Sequence, residues 1–347
     1  MKQQSFSHYV TLSALLCFLQ GCSGLSTATS GPIFQHDVSG ESLPWTNESF
    51  DAADEKFTFA VFSDLTGGER ERIFEIAIAQ LALLRPELII NVGDLIEGES
   101  DDVDVIDGQW DLFDERANRA TAPIFYVGGN HDLLGASLQG VWDRRYGRSY
   151  YHFVYKNTLF LVLDTEDHTP ERGREIVEAR NRALRVARTD GWDAFGLTEY
   201  VTMAENAAGN ISEAQSQYFR RVIAANPDVR WTFLFMHKAA WKREDTQTFT
   251  SIEKALRDRP YTVFNGHVHA YDHEVRHGRD YIRLATTGGV QLPANGRSMD
   301  HVALVTVSSG GVDIANLLME GILDKTGHIP LGGDDVCFET TACGAKE

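Results

Sequence analysis

The sequence predicts an α/β fold, a parallel sheet with helices on its faces, and three observations carry that reading. Short apolar runs recur at residues 57–63 (FTFAVFS), 88–92 (LIINV) and 123–127 (PIFYV), each suited to a buried strand. Segments with apolar residues at helical spacing lie between them. Strand, helix, strand, helix, strand is the order that builds parallel βαβ units.

The elements follow in chain order. After the first strand, Ile73, Ile76, Ala77, Leu81 and Leu84 share one helical face within residues 72–84, and Pro86 stops that helix. Residues 103–120 carry Trp110, Phe113 and Ala117 at helical spacing before the third strand. Residues 150–154 and 159–164 read as neighbouring strands. Residues 165–210 are polar, charged and weakly periodic, and read as an insertion over one edge, with Trp192, Phe195 and Tyr200 available for a lid or specificity wall. Ser212-Glu213-Ala214-Gln215 is a capping box that opens a helix to about Ala225. Residues 231–236 and 262–264 are short buried strands, and residues 281–286 and 302–307 close the fold.

Composition narrows the partners. The chain has 347 residues, 43% of them hydrophobic, which suits a packed domain rather than a disordered one. A formal net charge of -18 argues against a nucleic-acid-binding or anionic-membrane surface, which needs clustered Lys and Arg. Lys2, an apolar run at residues 9–19 and then Leu19-Gln20-Gly21-Cys22 read as a secretory signal. Leu, Gly and Cys around the cut resemble a bacterial lipoprotein box, and ordinary secretion with cleavage elsewhere is the alternative. On the first reading residues 1–22 are a lipoprotein signal peptide and Cys22 carries the lipid. Residues 23–49 are then a tether, and the protein is anchored in the bacterial envelope, periplasm or outer membrane. One catalytic domain is expected over residues 50–325. A tail, residues 326–347, follows, in which Cys337 and Cys343 close a small disulfide loop.

Five short motifs fall where strands end: Ser63-Asp64-Leu65-Thr66, Gly93-Asp94-Leu95-Ile96-Glu97, Gly129-Asn130-His131-Asp132, Met236-His237 and Gly266-His267-Val268-His269. In an open α/β sheet, ligands bind beyond the carboxyl ends of strands, so these distant residues are expected to converge. Carboxylates, an amide oxygen and imidazole nitrogens together suit first-row metals such as Mn, Fe or Zn. Taken singly, a His is more often a core or surface residue and a Gly-Asp pair more often a turn. That reading fails for all five motifs jointly.

In this order the motifs resemble those of the calcineurin-like metallophosphoesterase superfamily, over about residues 57–290. The resemblance implies a four-layer α-β-β-α sandwich with a two-metal site at one end of its sheets. It implies that Asp64 and His269 hold the first metal, that Asp94 bridges, and that Asn130, His237 and His267 hold the second. His131 would contact the phosphate and protonate the leaving oxygen. The implied reaction is attack of metal-activated hydroxide on a phosphomonoester, phosphodiester or nucleotide. A non-catalytic metal-binding surface lipoprotein on the same scaffold is the alternative. Thr66 departs from the pattern, because most relatives place a second histidine for the first metal there. Three readings stay open: a first metal held by fewer groups, Glu97 as the replacement ligand, or Glu97 orienting His131. A solvated surface Glu97 is the plain alternative. Tyr271, His273 and the run Thr286-Thr287-Gly288-Gly289 are further candidates to line the pocket.

Overall fold

The computed structural model describes Met1 and residues 33–50, 55–245 and 247–343. The expected signal peptide, its Cys22 and the first part of the tether lie outside the described residues, apart from Met1. The elements below belong to one compact unit, Ile33–Glu347. Its strands are β1 (Phe34–His36), β2 (Phe57–Phe62), β3 (Leu88–Asn91), β4 (Ile124–Phe125), β5 (Tyr151–Tyr155), β6 (Thr158–Val162), β7 (Trp231–Phe235), β8 (Tyr261–Asn265), β9 (Asp272–Arg276), β10 (Arg279–Arg283), β11 (His301–Ser308) and β12 (Gly311–Leu318). The α-helices are α1 (Ile73–Leu84), α2 (Val103–Ala117), α3 (Asn130–Leu133), α4 (Ala136–Tyr146), α5 (Pro170–Asp190), α6 (Trp192–Phe195), α7 (Glu199–Thr202), α8 (Ala204–Ala207), α9 (Glu213–Ala225), α10 (Thr248–Leu256) and α11 (Thr340–Cys343).

Two sheets form, in the orders β1-β5-β6-β7-β8-β10-β9 and β12-β11-β2-β3-β4. Strands β2, β3 and β4 run parallel, as do β6, β7, β8 and β10. Alternation along each central strand explains the layers. In β2, Phe59 and Val61 face the other sheet and meet Phe160, Phe233 and Phe235 in a shared core, where Phe59 and Phe233 lie edge to face at 4.9 Å. Ala60 and Phe62 face the opposite way and pack under α1, α2 and α4. In β6, Leu159 and Leu161 likewise face outward, under α9 and α10. Both faces of each sheet are therefore covered, and the central strands are buried and mostly apolar. The result is the four-layer α-β-β-α sandwich.

Three parts depart from the expected layout. Residues 33–49, expected within the tether, carry β1, which pairs with β5, and Trp45, buried against Phe125. Aromatic residues inside a polar stretch decide this, since burial of Trp45 and packing of the half-buried Phe34 outweigh the local composition. The boundary at residue 325 has no counterpart in packing, because Ile329 and Phe338 are buried against Ile73 and Ile76 of α1. Cys337 and Cys343 are bonded within that docked tail. Within the polar insertion, α5 is a long regular helix. Thr169 caps it by accepting from the Arg172 amide, Pro170 sits in its first turn, and Ile176, Ala179 and Ala183 form a narrow buried stripe. Ion pairs such as Arg172–Glu175 at 2.7 Å lie on its surface.

Candidate metal centre

Each of the five motifs follows the carboxyl end of a strand: Asp64 after β2, Asp94 after β3, Asn130 beyond β4, His237 after β7, and His267 and His269 after β8. The turns there are sharp. Asp64, Asp94, His267 and His269 all have left-handed backbones, with φ of 46°, 58°, 76° and 55°. Such conformations cost of order 1 kcal/mol or more each in non-glycine residues and persist where the surroundings over-determine them. Gly93, at φ 99°, has no room for a side chain, because a Cβ would lie 2.6 Å from His237 Nδ1 and 2.9 Å from the Gly129 Cα. Close backbone approach is what brings β3, β4 and β7 residues to one point.

The histidines are oriented by backbone carbonyls, which can only accept. His237 Nδ1 faces Val92 O at 2.8 Å and His267 Nε2 faces Asn206 O at 2.6 Å, while His269 Nδ1 faces Val290 O. Each of these nitrogens therefore carries the hydrogen, and the other nitrogen of each neutral ring presents a lone pair to the centre. His237 Nε2 lies 3.1 Å from Asp94 Oδ2, 3.2 Å from Asn130 Oδ1 and 3.2 Å from His267 Nδ1. With these rings neutral, four acceptors converge, a set that a cation satisfies. A second cluster joins Asp64, Asp94 and His269, with His269 Nε2 3.4 Å from Asp64 Oδ1. Asp94 belongs to both groups, the position of a bridging carboxylate.

Electrostatics agree with this donor set. Burial opposes charge on Asp94, but the adjacent His237 and His131 hold its carboxyl well below the usual carboxylate range. Burial also opposes charge on His237, but the Asp94 carboxylate lifts it to about 9, so without metal a proton takes the cation's place. Burial and the charges of Lys238 and His237 push His267 well down, which keeps it a neutral ligand. Asp132 closes the base of the centre. Its carboxylate accepts from the amides of Asp94 at 2.8 Å, Leu95 at 2.9 Å, Ile96 at 3.1 Å and Gly129 at 2.8 Å. Burial and the Asp94 charge nevertheless push its carboxyl up to about 7.

Residues 57–271 match the calcineurin-like phosphoesterase family. The chain belongs to that family. It is a metallophosphoesterase, a hydrolase of phosphoric esters, of a class that works with two metal ions. No curated protein matches the sequence. Among solved structures it is similar to a dimetal phosphatase from Danio rerio, at 17% identity and TM-score 0.48, over 76% of this chain and 98% of that one. It is also similar to a purple acid phosphatase from yellow lupin (Lupinus luteus) seeds, at 13% identity and TM-score 0.48, over 77% of this chain and 52% of that one. A third is GAP50 of Plasmodium, the anchor in the inner membrane complex, at 11% identity and TM-score 0.47, over 79% and 87% of the two chains.

Against that family pattern, Thr66 has a structural job. It is buried, and its hydroxyl donates to Ile96 O at 2.8 Å, tying the first motif to the second. Glu97 makes the reciprocal tie. Its carboxylate accepts from the amides of Gly67 at 3.3 Å, Gly68 at 3.0 Å and Glu69 at 2.8 Å. The Glu97 carboxylate is thus engaged by three amides of the loop 67–69 and belongs to neither metal group among the described residues. It is not a free surface group either. His131 is oriented by the Glu97 main chain instead, with Nδ1 2.6 Å from the Glu97 carbonyl. In this phosphoesterase the first metal group keeps three protein donors, Asp64, Asp94 and His269.

The remaining candidates divide. Gly289 donates to Asp64 O at 2.9 Å and Thr287 to Ser63 O at 2.7 Å, so that run brings backbone to the site. Tyr271 packs on His301 and bonds Asn316, and His273 pairs with Asp280 at 2.8 Å, so neither reaches the centre. Three contributors come from the insertion and were not legible as such. Asn206 fixes His267. Glu205 is buried, and its carbonyl accepts from Lys238, the residue after His237, at 2.9 Å. Arg180 of α5 places Nη2 3.3 Å from His131 Nε2. The signal for Arg180 was present: it lies at i+4 in the stripe Ile176, Ala179, Ala183, a charge on an apolar face.

Proposed function

We propose that the protein hydrolyses a phosphomonoester, phosphodiester or nucleotide outside the cytoplasm, using two ions of Mn, Fe or Zn. Asp64, Asp94 and His269 would hold one ion, and Asp94, Asn130, His237 and His267 the other. The observation that carries this is the convergence of Asp94 Oδ2, Asn130 Oδ1 and His267 Nδ1 on His237 Nε2, at 3.1–3.2 Å. When bound, the metals would supply Lewis-acid polarisation of the phosphoryl oxygens and a water of lowered pKa.

The chain's own residues do the rest. The Val92, Asn206 and Val290 carbonyls keep the three ligating rings in one tautomer each. His131 is pinned twice, its amide on Asp94 Oδ1 at 3.0 Å and its Nδ1 on the Glu97 carbonyl. Its Nε2 therefore faces the site, and in the imidazolium form that atom delivers a proton to the leaving oxygen. Export to an oxidising compartment and a lipid on Cys22 are part of the same proposal, supported by the residue pattern around Cys22 and by the Cys337–Cys343 bond.

The test is metal analysis paired with hydrolysis of an aryl phosphate and its bis-aryl diester under Mn, Zn or Fe. Hydrolysis of at least one ester, with metal bound, is expected. His131→Ala should keep the metal and lose about 100-fold or more in kcat. Metal binding with no hydrolysis by the unaltered protein would instead support a binding protein on this scaffold.

A further inference from the structure

Arg180 stands where an incoming substrate must be met. Its side chain is 14% exposed, and Nη2 touches both His131 Nε2 at 3.3 Å and Glu99 Oε1 at 3.0 Å. Its backbone does not wander, because Ile176, Ala179 and Ala183 on either side of it are buried against Leu134 and Tyr200. His131 Nδ1 gives its hydrogen to the Glu97 carbonyl, so in the neutral ring Nε2 accepts from Arg180. The guanidinium thus stands beside the ring atom that faces the leaving oxygen, where a phosphate seated at His131 lies within its reach. Both present contacts use Nη2, which leaves the rest of the fork for it. Beside Arg180 lies a cavity of about 70 Å³, walled by Asn130, His131, Val177 and Arg180 and by the acidic Glu99 and Asp101. Those carboxylates repel an anion, so a guanidinium is the group there that can hold one.

We propose that Arg180 is a substrate-binding residue that seats a dianionic terminal phosphate beside His131, and so selects phosphomonoesters over diesters. This rests on the phosphoesterase reading above. A monoester offers the fork two charges and unsubstituted oxygens, whereas a diester offers one charge and places an organic group where an oxygen would bond.

The experiment uses the metal-loaded full chain, with inorganic phosphate as the binding probe and the aryl monoester and bis-aryl diester as substrates. In Arg180→Gln, phosphate should bind about ten-fold more weakly or worse and the monoester KM should rise equally, against roughly three-fold or less for the diester. Arg180→Lys should fall between and decides the matter if the Gln variant folds poorly. Arg188→Gln, an exposed control that also pairs with Glu99, should stay within about two-fold of the parent. Unchanged phosphate affinity in a protein that hydrolyses the monoester overturns the Arg180 proposal alone, as does an equal KM rise for both esters. A parent protein that neither binds phosphate nor cleaves either ester overturns the phosphoesterase reading as well.

Discussion

At the scale of single residues, the altered first motif ties two loops together and leaves the first metal group with three protein donors. Most members of the family place a histidine at residue 66. Threonine there turns its hydroxyl to Ile96 O, and Glu97 answers by binding the 67–69 amides. Glu97→Gln keeps the shape and removes the charge, so three amides lose an ionised acceptor. The expected result is full metal content with thermal stability lowered by about 1–3 kcal/mol. Loss of about half the bound metal in that variant would return Glu97 to the ligand set. The sequence revealed the candidate ligands because each sits in a Gly-rich turn after an apolar strand, a local signal. It did not reveal what Glu97 does, because that depends on where the loop 67–69 folds back, some thirty residues away in the chain.

At the scale of elements, the insertion is a working part of the site and not only a cover. Lys238 is fully buried, pairs with Glu166 at 2.8 Å and donates to Glu205 O, which joins the end of β7 to α8. Glu205 is in turn held by Arg172 and Arg243 at 2.9 and 3.0 Å. Burial disfavours charge on Glu166, but Lys238 outweighs it and brings the carboxyl down to about 2. A depressed carboxyl stabilises the fold above its unfolded value, and that contribution fades as pH falls from there toward 2. Lys238→Met leaves the buried Glu166 with His168 alone, 3.6 Å away, and is expected to cost about 3 kcal/mol near neutral pH. In unfolding of the metal-free protein, the gap to the parent should narrow as pH falls toward about 3, because Glu166 then takes a proton in the variant. A gap that is constant with pH would mean that the pair is not what holds the two elements together. None of this is a periodic signal. Helix α5 was hidden because its buried stripe is one residue wide on a charged helix, and α8 because it is a single turn.

At the scale of the molecule, the α/β class was legible in the alternation of apolar runs and helical spacing. The parallel strands agree with it, since strands covered on both faces read as near-continuous apolar runs. The docking of both chain ends was not legible, because it rests on a few aromatic and aliphatic side chains in polar stretches, such as Trp45 and Phe338. The two sheets matter to function because they bring the ends of β2, β3 and β4 against those of β7 and β8, which splits the ligands into two groups sharing Asp94. If both groups take part in turnover, the protein stripped of metal should regain aryl phosphate hydrolysis as Mn is added back in measured equivalents, rising to a break at two equivalents per chain, one for each ligand group. Activity that is complete at one equivalent, or absent at every ratio, would contradict that two-metal account.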